Sequence, residues 1–249
     1  MSTIDVFSEL HRDGIFVMPN PWDRGSALIL EKMGFPALAT TSAGLGRSLG
    51  KDDQQVTRDE LITHVADLTQ VLSVPLNVDS ECLYPEDPGG IAETVRMLVD
   101  AGAAGCSIED YNPGDSSIAG VSASTRAVEE AARACAGTGI VLTARAENHL
   151  YGVEDLNDTI KRLIAYREAG ADVVYAPGLV TAEDIQRVVS ETRAPVNVLA
   201  HPFGPTIEEL GALGVRRVST GSALFNAARR TLRAAAGELL EYGTSNYAV

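Results

Sequence analysis

Four acids stand in two short strings of this 249-residue chain, Asn77-Val78-Asp79-Ser80-Glu81 and Ser107-Ile108-Glu109-Asp110. Each string ends an apolar run that reads as a β-strand, so Asp79, Glu81 and Glu109 would direct carboxylates into one small volume from neighbouring strand ends. Like charges held that close raise one another's pKa unless a cation neutralises them. An oxygen-only set of this kind suits Mg²⁺, which keeps several waters and takes one or two carboxylates directly. Any one of these acids alone reads equally well as a helix cap or a solvated loop residue. Their conjunction on adjacent strand ends is what points to a site. Arg145 ends the apolar run IVLTAR. A guanidinium there neutralises the acids or grips a substrate carboxylate in a bidentate pair, and the two roles are compatible. Ser42, Ala43 and Gly44 follow another apolar run and read as a small-residue turn whose backbone N–H groups can hold a carboxylate or phosphonate oxygen.

Bringing these groups together requires strands that all present the same end. The runs Ile15–Asn20, Ala37–Ser42, Pro75–Asp79, Gly105–Asp110, Ile140–Glu147, Asp172–Pro177, Pro195–Ala200 and Arg217–Thr220 read as strands. Between them lie helical stretches near Ser26–Met33, Thr57–Leu72, Ile91–Ala101, Ala123–Ala136, Val153–Ala169, Ala182–Glu191, Thr206–Leu213 and Ala223–Glu241. Gly34, Gly102, Gly170 and Gly214 each stand where a helix closes before a strand, and Thr57 and Thr181 stand as N-caps with acids in the following turn. Strict alternation of eight strands with eight helices gives an α/β chain, a (β/α)₈ TIM-type barrel with parallel strands and chemistry at the strand C-termini. No linker divides the chain, so residues 1–249 read as one domain. A doubly wound dinucleotide fold would want a GxGxxG turn after the first strand, where the sequence reads PNPWDRGS.

Composition narrows the function classes. The net charge is −14, from 34 acidic against 20 basic residues, which repels nucleic-acid phosphates and anionic membrane surfaces. Any anionic substrate needs a local cluster of cations and N–H groups to overcome that field. The three cysteines, Cys82, Cys106 and Cys135, show neither a CxxC pair nor a zinc spacing and read as reduced thiols. The start of the chain, MSTIDVFSELHRDG, reads as a polar amphipathic helix with no signal core, and no run approaches a membrane span. A cytoplasmic protein is the expectation.

The strings Pro21-Trp22-Asp23, Thr41-Ser42-Ala43-Gly44 with Ser48-Leu49-Gly50 and Asp53, Val78-Asp79-Ser80-Glu81, Ile108-Glu109-Asp110, Ala144-Arg145, Ala176-Pro177-Gly178 and Val196-Asn197-Val198 together resemble the isocitrate lyase and phosphoenolpyruvate mutase superfamily. The resemblance covers roughly residues 15–225 and is specific as a set. It implies a (β/α)₈ barrel, a homotetramer with the C-terminal helix swapped between subunits, and Mg²⁺ beside the oxygen of an oxo acid. By position it implies that Asp79 binds the metal directly while Glu81 and Glu109 hold its waters. Ser42, Ala43 and Gly44 would hold the substrate carboxylate with Arg145, Asn197 would join the substrate-binding groups, and Asp53 would be the acid at the mouth.

Departures from the family pattern are equally informative. Its metal-site DxD is DSE here. The loop after the fourth strand, Tyr111–Gly120, lacks both the cysteine of the family's lyases and the lysine of its mutases. Cys106 falls inside a strand and Cys135 in a helix, so only Cys82 lies near the rim. His201, in NVLAHP after the seventh strand, is the titratable group best placed by strand position to supply a proton instead. His149 would border the site, and His11 and His64 read as surface residues. The reading is a Mg²⁺-dependent carbon–carbon lyase or decarboxylase acting on a small anionic oxo or hydroxy (di)carboxylic acid. Chemistry at a phosphorus–carbon bond of phosphonopyruvate-like substrates, or a catalytically silent barrel with a binding role, are the alternatives.

Overall fold

The computed structural model describes residues 1–248. Its strands in chain order are β1 (Phe16–Met18), β2 (Leu38–Ala39), β3 (Leu76–Val78), β4 (Gly105–Glu109), β5 (Tyr111–Asn112), β6 (Ser117–Ile118), β7 (Val141–Arg145), β8 (Val173–Tyr175), β9 (Val196–Leu199) and β10 (Arg217–Ser219). Eight of them form a parallel sheet in the order β1-β10-β9-β8-β7-β4-β3-β2. β1 and β2 are its ends, and the Ala39 N–H donates to the Pro19 carbonyl across them at 3.0 Å. The sheet thereby curls into a nearly closed (β/α)₈ barrel. All eight strands read from the sequence are present, trimmed to their paired residues. The antiparallel pair β5–β6, with Tyr111 opposite Ile118, is an addition to that reading and shapes the loop after β4.

The helices are α1 (Thr3–Leu10), α2 (Arg24–Lys32), α3 (Ser42–Ser48), α4 (Arg58–Thr69), α5 (Gly90–Asp100), α6 (Val121–Cys135), α7 (Leu156–Glu168), α8 (Ala182–Thr192), α9 (Ile207–Ala212) and α10 (Ala223–Tyr242). Asp23, Thr57 and Thr206 open α2, α4 and α9 through reciprocal capping boxes. Gly34, Gly102, Gly170 and Gly214 follow helix ends at positive φ, as their sequence positions indicate. Ser42–Gly44 departs from its sequence reading. It is no isolated turn but the start of α3, with the Gly44 N–H donating to Thr41 Oγ1 at 3.2 Å. The small residues there answer to packing, since a Cβ on Gly46 would meet the Asp52 carbonyl oxygen at 2.9 Å.

Side chains on the outer face of the strands, such as Leu142, Ala144 and Val174, pack under the helices with Leu68, Leu98 and Leu163. The N-terminal end of the barrel is closed by α1. Its one buried residue, Phe7, lies edge-on to Phe16 at 6.2 Å and to His11 at 4.7 Å. Gly105 leaves room for this plug, because a Cβ there would lie 2.5 Å from both Phe7 Cε1 and Asn77 Oδ1. His11 is therefore buried and not on the surface as its sequence position suggests. Its Nδ1 bonds the Phe7 carbonyl at 2.7 Å and its Nε2 lies 3.2 Å from Arg217 Nη1. Burial, then the Arg217 charge, lowers its pKa to about 3. A neutral ring thus donates from Nδ1 and accepts at Nε2. His64 is likewise half-buried on α4. Among the described residues no helix is long and apolar enough to cross a membrane.

Candidate active site

At the C-terminal ends of the strands a cavity of about 230 Å³ runs down the barrel axis. Asp53, Asp79, Arg47, Arg145, Ser42 and Ala43 line its mouth, and Asn197, Asn77, Thr143 and Arg217 line its depth. Inward positions of the central strands carry Asn77, Thr143, Arg145, Asn197 and Arg217, beside the apolar Met18, Ala39 and Leu199, while the intervening positions of β7, such as Leu142 and Ala144, are apolar and face the helices, as period-two alternation requires.

Arg145 organises the mouth. Its Nη1 donates to Asp79 Oδ1 at 2.6 Å and lies 3.3 Å from Glu109 Oε2, and its Nε donates to Glu147 Oε1 at 2.8 Å. None of these contacts uses Nη2, which is free to meet a ligand. The guanidinium also sits 5.2 Å over the Tyr175 ring. The other oxygen of Asp79 accepts from the Ser42 N–H at 2.9 Å and from its hydroxyl at 3.0 Å. Of the three N–H groups read as a carboxylate cradle, those of Ser42 and Gly44 are thus already bound within the protein. Gly44 is buried and does not line the cavity, whereas Ser42 and Ala43 do.

Glu81 and Glu109 stand behind this mouth. Both face a second cavity of about 820 Å³ beneath the β5–β6 hairpin. Glu109 Oε1 accepts from Gln54 Nε2 at 2.8 Å, while the buried Glu81 Oε1 has no partner. Burial, then Asp79 and Asp53, pushes the Glu81 carboxyl up to about 8. Burial raises Glu109 well above the usual carboxylate range, with Arg145 opposing and Glu147 and Asp79 reinforcing the rise. Asp53 is also raised, by burial and then by Asp79. Burial and mutual repulsion together oppose full ionisation of this group of acids.

These residues fit a hydrated magnesium ion. Among the described residues no three His, Cys, Asp or Glu side chains form a ready-made ligand cage. The donor set is oxygen alone, with one buried carboxylate oxygen left orphaned, which suits an ion bound by one carboxylate and reached by others through water.

The hairpin is pinned over this region by Tyr111, whose ring stacks on Tyr151 at 3.7 Å and 5°. His201 is placed differently from its sequence reading. The chain turns outward after Ala200, the Phe203 N–H donates to His201 Nδ1 at 3.3 Å, and the exposed ring faces Phe203 instead of lining the cavity. His149 is half-buried with Nε2 unpartnered. Glu147, Tyr175, Gln54 and Arg217 complete the site and were not singled out by sequence reasoning. Glu147 had a usable signal, since it lies two residues beyond Arg145 on the same strand end.

Comparison with known proteins now bears on this geometry. The family model described as phosphoenolpyruvate phosphomutase matches residues 7–240. The chain belongs to this family. An uncharacterized protein of Mycobacterium tuberculosis is 36% identical over 224 residues, covering 89% of this chain and 83% of its own. A 2-methylisocitrate lyase of Aeropyrum pernix is 27% identical over 248 residues, covering 94% and 79%. Among solved structures, a protein of Burkholderia cenocepacia described as a lyase/mutase superposes with a TM-score of 0.94 at 44% identity, covering 99% of this chain and 91% of that one. The superfamily that the sequence resembles is therefore the one to which this phosphoenolpyruvate phosphomutase family member is matched, and its relatives include named lyases.

Proposed function

We propose that this chain is a Mg²⁺-dependent lyase or decarboxylase that breaks a carbon–carbon bond in a small oxo or hydroxy (di)carboxylic acid. The observation that carries this reading is the charge of the cavity. In a protein of net charge −14, the cavity is walled by Arg47, Arg145 and Arg217 against only Asp53 and Asp79. A cation-rich pocket inside an acidic protein receives an anion. A magnesium ion held by Asp79, and through water by Glu81 and Glu109, would supply the positive charge that stabilises an enolate oxygen as the bond beside it breaks.

The chain's own groups then have separable tasks. Arg145, oriented by Glu147 and Asp79, presents Nη2 to a substrate carboxylate. Ser42 fixes Asp79 through two hydrogen bonds. Asp53, at the mouth and raised in pKa by burial and by Asp79, is the carboxyl placed to exchange a proton with a ligand in the cavity. The β5–β6 hairpin, braced by Tyr111 on Tyr151, walls the second cavity that Glu81 and Glu109 face.

The reading is tested by assaying a panel of oxo and hydroxy acids for release of pyruvate, glyoxylate and CO₂, with phosphonopyruvate followed by ³¹P NMR in parallel. Turnover of a carbon substrate that stops on chelation is expected. Turnover of phosphonopyruvate alone would replace this reading with phosphorus–carbon chemistry, and no turnover of any member would favour a silent barrel.

A further inference from the structure

Arg217 is 2% exposed, yet the partners of its guanidinium are all neutral. Nε donates to Asn197 Oδ1 at 2.9 Å, Nη2 to Thr143 Oγ1 at 2.8 Å, and Nη1 to the neutral His11 Nε2 at 3.2 Å. Three of its five N–H groups are used, which leaves two. The fixed tautomer of His11 makes that residue an acceptor and denies Arg217 a counter-charge. Elsewhere in the lining of the same cavity, on β3, Asn77 Oδ1 is buried without a partner among the described residues. Burial costs a charge several kcal/mol unless something compensates it, and a floor serving packing alone would be apolar. The cation instead faces the cavity.

Its position relative to Arg145 follows from strand geometry. Arg217 is hydrogen-bonded to Thr143, and Arg145 is two residues further along β7 on the same inward face. Both arginines line the one cavity of about 230 Å³, a space that a single ligand with an anionic group at each end can enter from the Arg145 side.

We propose that Arg217 is a second substrate-binding residue, a cationic floor that receives the distal anionic group of a ligand whose other end meets Arg145. This rests on the reading of the cavity as an oxo-acid site and predicts that a ligand carrying a second anionic group beyond its oxo-acid end gains affinity from Arg217, whereas oxalate does not. Asn197 and Thr143 act as positioning residues, since they hold the guanidinium in the cavity lining and leave two of its N–H groups unused.

The test is calorimetry in saturating Mg²⁺ with two probes, oxalate and 3,3-difluorooxaloacetate, on the wild type and on Arg217→Met. The expected result is a loss of about tenfold or more in affinity for the four-carbon probe, with oxalate affinity kept within about threefold. Equal losses for both probes would mean a structural role, and no loss for either would mean that Arg217 touches no ligand; both overturn the proposal. If the wild type binds neither probe, the oxo-acid reading itself fails, which is a different outcome. Arg217→Gln keeps polarity toward Asn197 and Thr143, and the same split is expected from it should the Met variant not fold.

Discussion

Around Arg145, Glu81, Glu109 and Asp53 are held above the ordinary carboxylate values by burial and by neighbouring acids. Glu81 has a folded pKa of about 8 against an ordinary value of 4.5, so between these values the folded protein holds a proton that the unfolded chain has released. Stability therefore falls as pH rises through that window, and is fully present only below it. Thermal melts of the metal-free protein are expected to show Tm declining from pH 5 to pH 8, Glu81→Gln to flatten the decline, and Mg²⁺ to reverse it. A Tm that climbs over this range in metal-free buffer would contradict the account. Asp79, Glu109 and Arg145 were legible in the sequence because each ends a strand, and strand ends converge in a barrel. His11 was not, because its partner Arg217 lies on the last strand and no local pattern reports a contact between the chain's two ends. His201 misled for a related reason: strand position locates a backbone, but beyond the last paired residue it says nothing of where the side chain faces.

Element by element, the alternation of strands and helices survived almost intact, since capping residues and apolar periodicity are local. Two features were not local. α3 begins with small residues that mimic a turn, and its helical state depends on packing of Gly46 against the segment near Asp52. The β5–β6 hairpin is held by Tyr111 on Tyr151, a contact between loops of different strands. α10 raises a further question. In this twenty-residue helix only Phe225 is buried, while Leu232, Leu239, Leu240 and Tyr242 are 68%, 48%, 91% and 67% exposed. An apolar face of that extent wants a covering surface, and we propose that another copy of the chain supplies it in a dimer or tetramer. Light scattering at micromolar concentration is expected to give a multiple of the 26.3 kDa chain mass. A monomer would leave the face unexplained and exclude the proposal.

At the scale of the whole molecule, an acidic protein gathers Arg47, Arg145 and Arg217 around one cavity with Asp53 and Asp79. Net charge alone predicted that an anionic ligand requires a local cluster of positive charge, and the structure supplies that cluster along the barrel axis. The direction of the strands places it at the one face where eight chain segments converge. What the sequence could not convey is depth: that Arg217 lies at the floor and that Glu81 stands behind the wall are consequences of barrel closure. The central claim is that Asp79 organises a metal-assisted anion site. It is tested most directly by titrating oxalate into the protein with and without Mg²⁺, beside Asp79→Ala. The account predicts tight oxalate binding only when Mg²⁺ is present, and its loss by about 10²-fold or more in the folded Asp79→Ala variant. Oxalate binding that is unchanged by chelation, or retained in full by Asp79→Ala, would contradict it.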